Sequence, residues 1–161
     1  MTSARPLSQA KLFRFTVPGL GPTLAIPIEQ LIGVARLPFV TEVPCTPPAI
    51  LGLSRWQDTP VTLVDLGRLL DETAPDNGQD FSAMRHLVFK IADQGQIVLA
   101  GCPILTGSQM ISVPLRLPRA DVPAGINPAL IHQAVSIDGA PVLLLDTTHL
   151  SDLFVSLQSV L

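Results

Sequence analysis

Two aspartates, Asp65 and Asp146, each close an apolar run and stand just before residues that favour a helical turn. Their surroundings read alike: GLSRWQDTPVTLVDLGRLL spans 52–70 and HQAVSIDGAPVLLLDTTHL spans 132–150. Two chemistries suit carboxylates placed this way. Each can accept a hydrogen bond from the first turn of the helix that follows, a cap worth about 1 kcal/mol that also meets the helix's positive end. Alternatively, two carboxylates held within about 3 Å share a proton and act as acid and base. A dyad of that kind needs the tight Asp-Thr-Gly loop, and LVDLG and LLDTT carry only pieces of it. The residues therefore favour caps, and an aspartic-type hydrolase is the remote alternative.

The remaining candidates for chemistry are sparse. His86, His132 and His149 stand in unrelated contexts, and no His/Cys/Asp spacing resembles a zinc site. Cys45 and Cys102 form no CxxC pair and read as buried thiols of a reducing compartment. There is no G-x-S-x-G and no phosphate-cradling glycine loop, because prolines flank the glycines of PGLGP and remove amide donors. The chain of 161 residues carries a net charge of −3, with scattered basic residues, no Tyr and one Trp. Nucleic acid, which needs a basic stripe and stacking platforms, is excluded, and so is docking on an anionic membrane. No cofactor is implied.

Only 14% of the residues are charged and 47% are apolar, against about 25% charged in an ordinary globular chain. Such a chain buries nearly all its apolar groups or leaves some exposed for a partner. The length suits one domain, or two small halves on a shared core. MTSARPLSQAK lacks a leader's apolar stretch, and no apolar run approaches the ~18 residues that cross a bilayer. The expectation is a soluble cytoplasmic protein with no direct membrane insertion.

Sixteen prolines and eleven glycines cut the chain into short elements. Residues 1–10 are polar and read as a flexible start. KLFRFTV alternates, with Phe13, Phe15 and Val17 on one face, and returns through GLGP into TLAIPI as a hairpin. IEQLIGVARL fits a short helix or a further strand. VPCTPP is a connector. The stretch opening at Gly52 is a hairpin turning at QDTP, and 72–80 is a loop. RHLVFKIADQGQIVLAG is a hairpin turning at Asp93-Gln94-Gly95. Residues 102–128 are proline-rich with one strand near MISVPL, and a last hairpin turns at Asp138-Gly139. In the tail, Leu150, Leu153, Phe154 and Leu157 make one face of an amphipathic helix. The fold class is mostly β, with short helices including a C-terminal one.

The two aspartate-bearing stretches superpose at a fixed offset: 141 − 60 = 81 carries Pro60 to Pro141, and the same shift carries Asp65 to Asp146, Val61 to Val142 and Leu69 to Leu150. Matching apolar and turn positions imply two similar β subdomains.

On these stretches the chain resembles the CheW-like domain of bacterial chemotaxis coupling proteins. LFRFTVPGLGPTLAIPIEQLIGVARL is similar to that family's opening hairpin and following segment. PPAILGLSRWQDTPVTLVDLGRLL resembles its Asn-Leu-Arg-Gly region, and AVSIDGAPVLLLDTTHLSDL its closing strand and Asp. The resemblance spans residues 11–157, taken as one domain, with 158–161 a tail. It implies two small five-stranded β barrels packed on a common core. It implies a non-catalytic scaffold that links methyl-accepting chemoreceptors to a CheA-type histidine kinase, recruited to membrane-bound receptor arrays. Carried over by position, the partner-binding residues are Leu31, Ile32 and Val34, then Arg55, Trp56, Gln57 and Asp58, with Asp65 and Asp146 as structural caps. Three positions depart from the pattern: Gln57 replaces an Arg, Asp58 a Gly, and Gly33 a Glu. Glutamine cannot reproduce the bidentate guanidinium fork. The departures point to a divergent receptor set, such as one serving pilus motility or phototaxis, with a kinase-free regulatory module as the alternative. Trp56 has two readings, a ring that covers the end of a barrel or an exposed anchor.

Overall fold

Short alternating runs broken by glycine, proline and aspartate give strands and little else. The computed structural model describes residues 9–37, 41–42, 48–71, 73, 81, 83–93, 95–147 and 149–150. Its strands are β1 (Gln9–Phe15), β2 (Thr23–Pro27), β3 (Leu31–Ala35), β4 (Ile50–Trp56), β5 (Thr59–Val64), β6 (Arg85–Asp93), β7 (Gln96–Ile104), β8 (Gln109–Pro114), β9 (Ile131–Ile137) and β10 (Ala140–Leu145), with the short helix α1 (Leu66–Leu70) after β5. Single 3-10 turns at Ile28–Gln30 and Pro128–Leu130 lead into β3 and β9. The segment from Ile28 is thus a turn followed by a strand. The first strand begins at Gln9, because Gln9 and Ala10 pair with Pro114 and Val113 of β8.

Two five-stranded sheets result, one in the order β8-β1-β2-β10-β9 and the other β3-β6-β7-β5-β4. Neither sheet closes by pairing its edge strands. Instead, chain beyond one edge strand reaches the other edge. In the first sheet the Ala120 N–H donates to the Ala134 carbonyl at 3.0 Å and the Ser136 N–H to the Pro118 carbonyl at 2.8 Å. In the second, Thr41 and Leu53 exchange backbone hydrogen bonds at 2.8 and 2.9 Å. Each sheet is thus bridged across its own edges by a strap, and the two five-stranded units agree with the expected pair of small barrels without full closure.

The rolling explains the high apolar content. Leu12, Ala25, Val113, Val135 and Val142, one or more from each strand of the first sheet, cluster on its inner face. Val61, Leu63 and Val88, with Ile32, Leu51, Trp56 and Leu99, do the same in the second. The opposite faces meet in a shared core that joins Phe13, Phe15, Leu24, Ile26 and Leu143 to Leu87, Phe89, Ile91, Cys102 and Ile104. Central strands are therefore apolar on both faces: Leu143 enters the shared core while Val142 enters its own sheet's interior. The hydroxyl of Thr147 accepts from the Gln30 side chain at 2.8 Å beside this core.

The 81-residue offset maps β4 onto β9 and β5 onto β10 residue for residue, since 50 + 81 = 131 and 59 + 81 = 140. The sheets, however, are not the two halves of the chain. β1 and β2 pair with β8 and β10, while β6 and β7 pair with β3 and β5. Each sheet takes a hairpin from one half and three strands from the other, through the parallel pairs β2–β10 and β5–β7. Pro60 and Pro141 lack amide donors yet lie inside strands. They are tolerated because the parallel partners begin one residue later, at Val61 and Val142.

Of the other expected features, the strand near MISVPL is β8, and the hairpin near Asp93 is the pair β6–β7, in register from Asp93 opposite Gln96. Leu150 is fully buried in the shared core. Leu153, Phe154, Leu157 and Cys45 lie outside the described residues.

Candidate protein-docking surface

The carboxylates settle first, because they carry the only alternative chemistry. The Asp65 side chain accepts from the Arg68 N–H at 3.3 Å, and its backbone carbonyl from the Leu69 N–H at 3.0 Å. The Asp146 side chain accepts from the His149 N–H at 3.2 Å, and its carbonyl from the Leu150 N–H at 3.2 Å. Both aspartate N–H groups donate back to the turn before the hairpin, Asp65 to Ala49 and Asp146 to Leu130, at 2.7 and 2.9 Å. The repeat is thus reproduced bond for bond, and each carboxylate caps the turn that follows it. Asp146 additionally meets the His149 ring, Oδ2 to Nδ1, at 2.8 Å. Cys102 is a free thiol buried in the shared core. Burial, helped by the nearby charge of Asp65, pushes its pKa far up, so it carries no thiolate chemistry. His132 is exposed, and His86 is buried at the start of β6 with Nδ1 unpartnered. Burial holds His86 below its ordinary value of 6.5, against an opposing backbone hydrogen bond at Met84. Among the described residues no cluster of His, Cys, Asp and Glu is arranged to hold a metal ion.

The residues expected to bind partners divide between the two faces of β3. Leu31 and Val34 pack against the rim of the shared core, while Ile32 joins Trp56 in the second sheet's interior cluster. The division arises from an irregularity in the β3–β6 register between Leu31 and Gly33. Arg55, Gln57 and Asp58 are exposed at the β4–β5 turn. That turn is shorter than QDTP. Trp56 pairs with Thr59, so Gln57 and Asp58 alone make the loop, at φ 46° and 68°. This is the two-residue hairpin with positive φ at both positions that normally takes Asn-Gly or Asp-Gly.

One pairing was not visible in the sequence. A Cβ placed on Gly33 would lie 2.7 Å from Cη2 and 2.9 Å from Cζ2 of Trp56. The six-membered ring of the indole therefore packs directly against the glycine at that end of the second sheet, within its interior cluster, while remaining half-buried. The departure at Gly33 and the ring of Trp56 are one feature, since a glutamate at 33 would need the space the ring fills. The signal available in the sequence was a glycine in mid-strand, which marks the close approach of another group.

With this geometry in hand, comparison with known proteins places the chain. A model of the CheW-like domain matches residues 12–154, and the chain belongs to that family. Among solved structures it is similar to the scaffolding protein TtCheW from Thermoanaerobacter tengcongensis, with a TM-score of 0.67 at 17% identity over 91% of this chain and 89% of that one. No curated protein sequence matches it. The family is one of non-catalytic scaffolds of the chemotaxis type, and this chain is accordingly not an enzyme. Among the described residues no helix is long and apolar enough to cross a membrane.

Proposed function

We propose that this protein couples methyl-accepting chemoreceptors to a CheA-type histidine kinase in a chemotaxis-like pathway, acting in the cytoplasm at membrane-bound receptor arrays. The observation that carries the reading is the CheW-like match across residues 12–154. The docking face comprises Leu31 and Val34 at the rim of the shared core, and Ile32, Arg55, Trp56, Gln57 and Asp58 at that end of the second sheet. Trp56 supports this assignment, because its half-buried ring at the turn offers the kind of anchor that concentrates binding energy. Interfaces in such arrays can be small, below ~1,200 Å².

The altered turn favours a specialised partner set, serving pilus-based motility or phototaxis. Neither Gln57 nor Asp58 can supply a guanidinium fork. Affinity purification from native cells with identification by mass spectrometry tests both levels. Recovery of a chemoreceptor with a histidine kinase supports coupling. Recovery of a motility assembly without any kinase, reproducibly and in stoichiometric amount, assigns the protein instead to regulation of that assembly.

A further inference from the structure

We propose that Arg36 and Arg85 form a two-guanidinium clamp for an acidic side chain of a partner's protein segment. The inference rests on the reading that this chain acts by docking proteins, but not on which proteins dock. Strands β3 and β6 pair with Val34 opposite Leu87 and Ala35 opposite His86. Carried one residue further, that register sets Arg36 directly opposite Arg85. Both are exposed, and both line a groove of about 600 Å³ with Met84, Leu105, Thr106 and Ser108. Neither guanidinium has an ion pair or hydrogen bond among the described residues.

Like charges directly opposite one another on neighbouring strands destabilise a sheet. Among the described residues no carboxylate pairs with either arginine, and the chain as a whole carries a net charge of −3. A carboxylate seated between the two forks would remove the repulsion and gain charge-assisted hydrogen bonds. The rest of the groove narrows the occupant. Leu105 leaves 40% of its surface exposed there, beside the hydroxyls of Thr106 and Ser108. An apolar contact next to a paired-arginine site suits a peptide that carries an acidic residue beside an aliphatic one. Two arginines make too short a basic tract for nucleic acid or a membrane surface, which need a stripe.

The test uses the full-length protein, labelled with 15N, and a capped peptide, Glu-Leu-Glu-Leu-Glu-Leu. Chemical-shift changes centred on Arg36, Arg85, Leu105 and Thr106 are expected, with affinity falling as salt rises. Arg36→Gln with Arg85→Gln weakens binding at least about tenfold, while each single variant melts no lower than the parent at low ionic strength. The proposal is overturned if the Gln-Leu-Gln-Leu-Gln-Leu control binds equally, or if the double variant binds as the parent does. A lower melting temperature in both single variants would make the pair structural and also overturn it. So would inorganic phosphate binding as tightly as the acidic peptide, which would leave only a small-anion site. Arginine-dependent sedimentation with phosphatidylglycerol vesicles would assign the pair to lipid and overturn it likewise. Failure here with a receptor and kinase still recovered from cells would leave the coupling function standing.

Discussion

The two copies of the hairpin end differently. In the first, Trp56-Gln57-Asp58 tops the second sheet; in the second, Ile137-Asp138-Gly139 tops the first. Both turns hold two residues at positive φ, 46° and 68° in the first and 53° and 79° in the second. Only the second uses the aspartate-glycine pair that this geometry favours. Beside that favourable turn the mouth of the sheet is an open groove of about 550 Å³, lined by Arg14, Pro114, Ser136 and Ile137. Beside the strained turn an indole packs against a glycine within the sheet's interior cluster. One copy was left with turn chemistry that suits folding. The other has Gln57 where the favoured pair has aspartate and Asp58 where it has glycine, next to the one tryptophan. Strain thus persists beside a half-buried aromatic in the first copy, although a less strained turn stands in the same molecule, and under the proposed function the first copy is the one to test for contact.

Exchanging residues between copies tests this contrast. The largest effect is expected from Gly33→Glu, which sets the family's usual residue against the ring and costs about 1–3 kcal/mol through overpacking. Trp56→Ile, the second copy's residue, should restore most of that loss. A double-mutant cycle by thermal denaturation reads the coupling, and additive losses would show that the two positions are independent. Truncating the caps should cost about 1 kcal/mol each, with Asp65→Ala the more damaging because its side chain is buried whereas that of Asp146 is partly exposed. Melting temperatures of the two variants give the ranking. Asp58→Gly should stabilise by about 0.5–1 kcal/mol, since it relieves a non-glycine residue at positive φ. The same variant should weaken partner binding if the aspartate is part of the docking face, and binding measured alongside stability separates the two roles.

The smallest effect at neutral pH belongs to His86, which has no counterpart in the other copy. Its pKa is lowered by burial, so the unfolded chain binds the proton more readily than the folded one. Stability should therefore be complete above the ordinary value of 6.5 and decline as pH falls below it, down to the folded-state pKa, with no further loss from this group beneath that. In His86→Phe this part of the acid slope should vanish; an unchanged slope in chemical denaturation from pH 7 to 5 would assign it to other groups.

Much of this architecture was legible in the sequence because it is local. The alternation of Phe13, Phe15 and Val17, the Asp138-Gly139 turn and the aspartates at the 81-residue offset each depend on neighbours within a few residues. What escaped was long-range. The exchange of hairpins rests on β2 lying parallel to β10 and β5 to β7, and periodicity says which face is apolar, not which strand lies alongside. The first turn was read as QDTP because Gln-Asp carries no hairpin signal of its own and Pro60 resembles a turn residue. The contact of Trp56 with Gly33 joins two elements more than twenty residues apart in sequence. A glycine in a strand announces that something comes close without saying what. Of the residues proposed for docking, those at the turn come from the motif alone, whereas the proposed pairing of Arg36 with Arg85 needs the register of β3 on β6.

The exchange of strands between halves also bears on what happens to the protein when it is damaged. A nick between Asp71 and Arg85 would leave an N-terminal piece holding two strands of one sheet and three of the other, and a C-terminal piece with the complementary set. Neither piece has a complete sheet to offer, and neither can bury its share of the common interior alone. Proteolysis should therefore remove the scaffold outright, and no surviving fragment would occupy one partner while failing to reach the next.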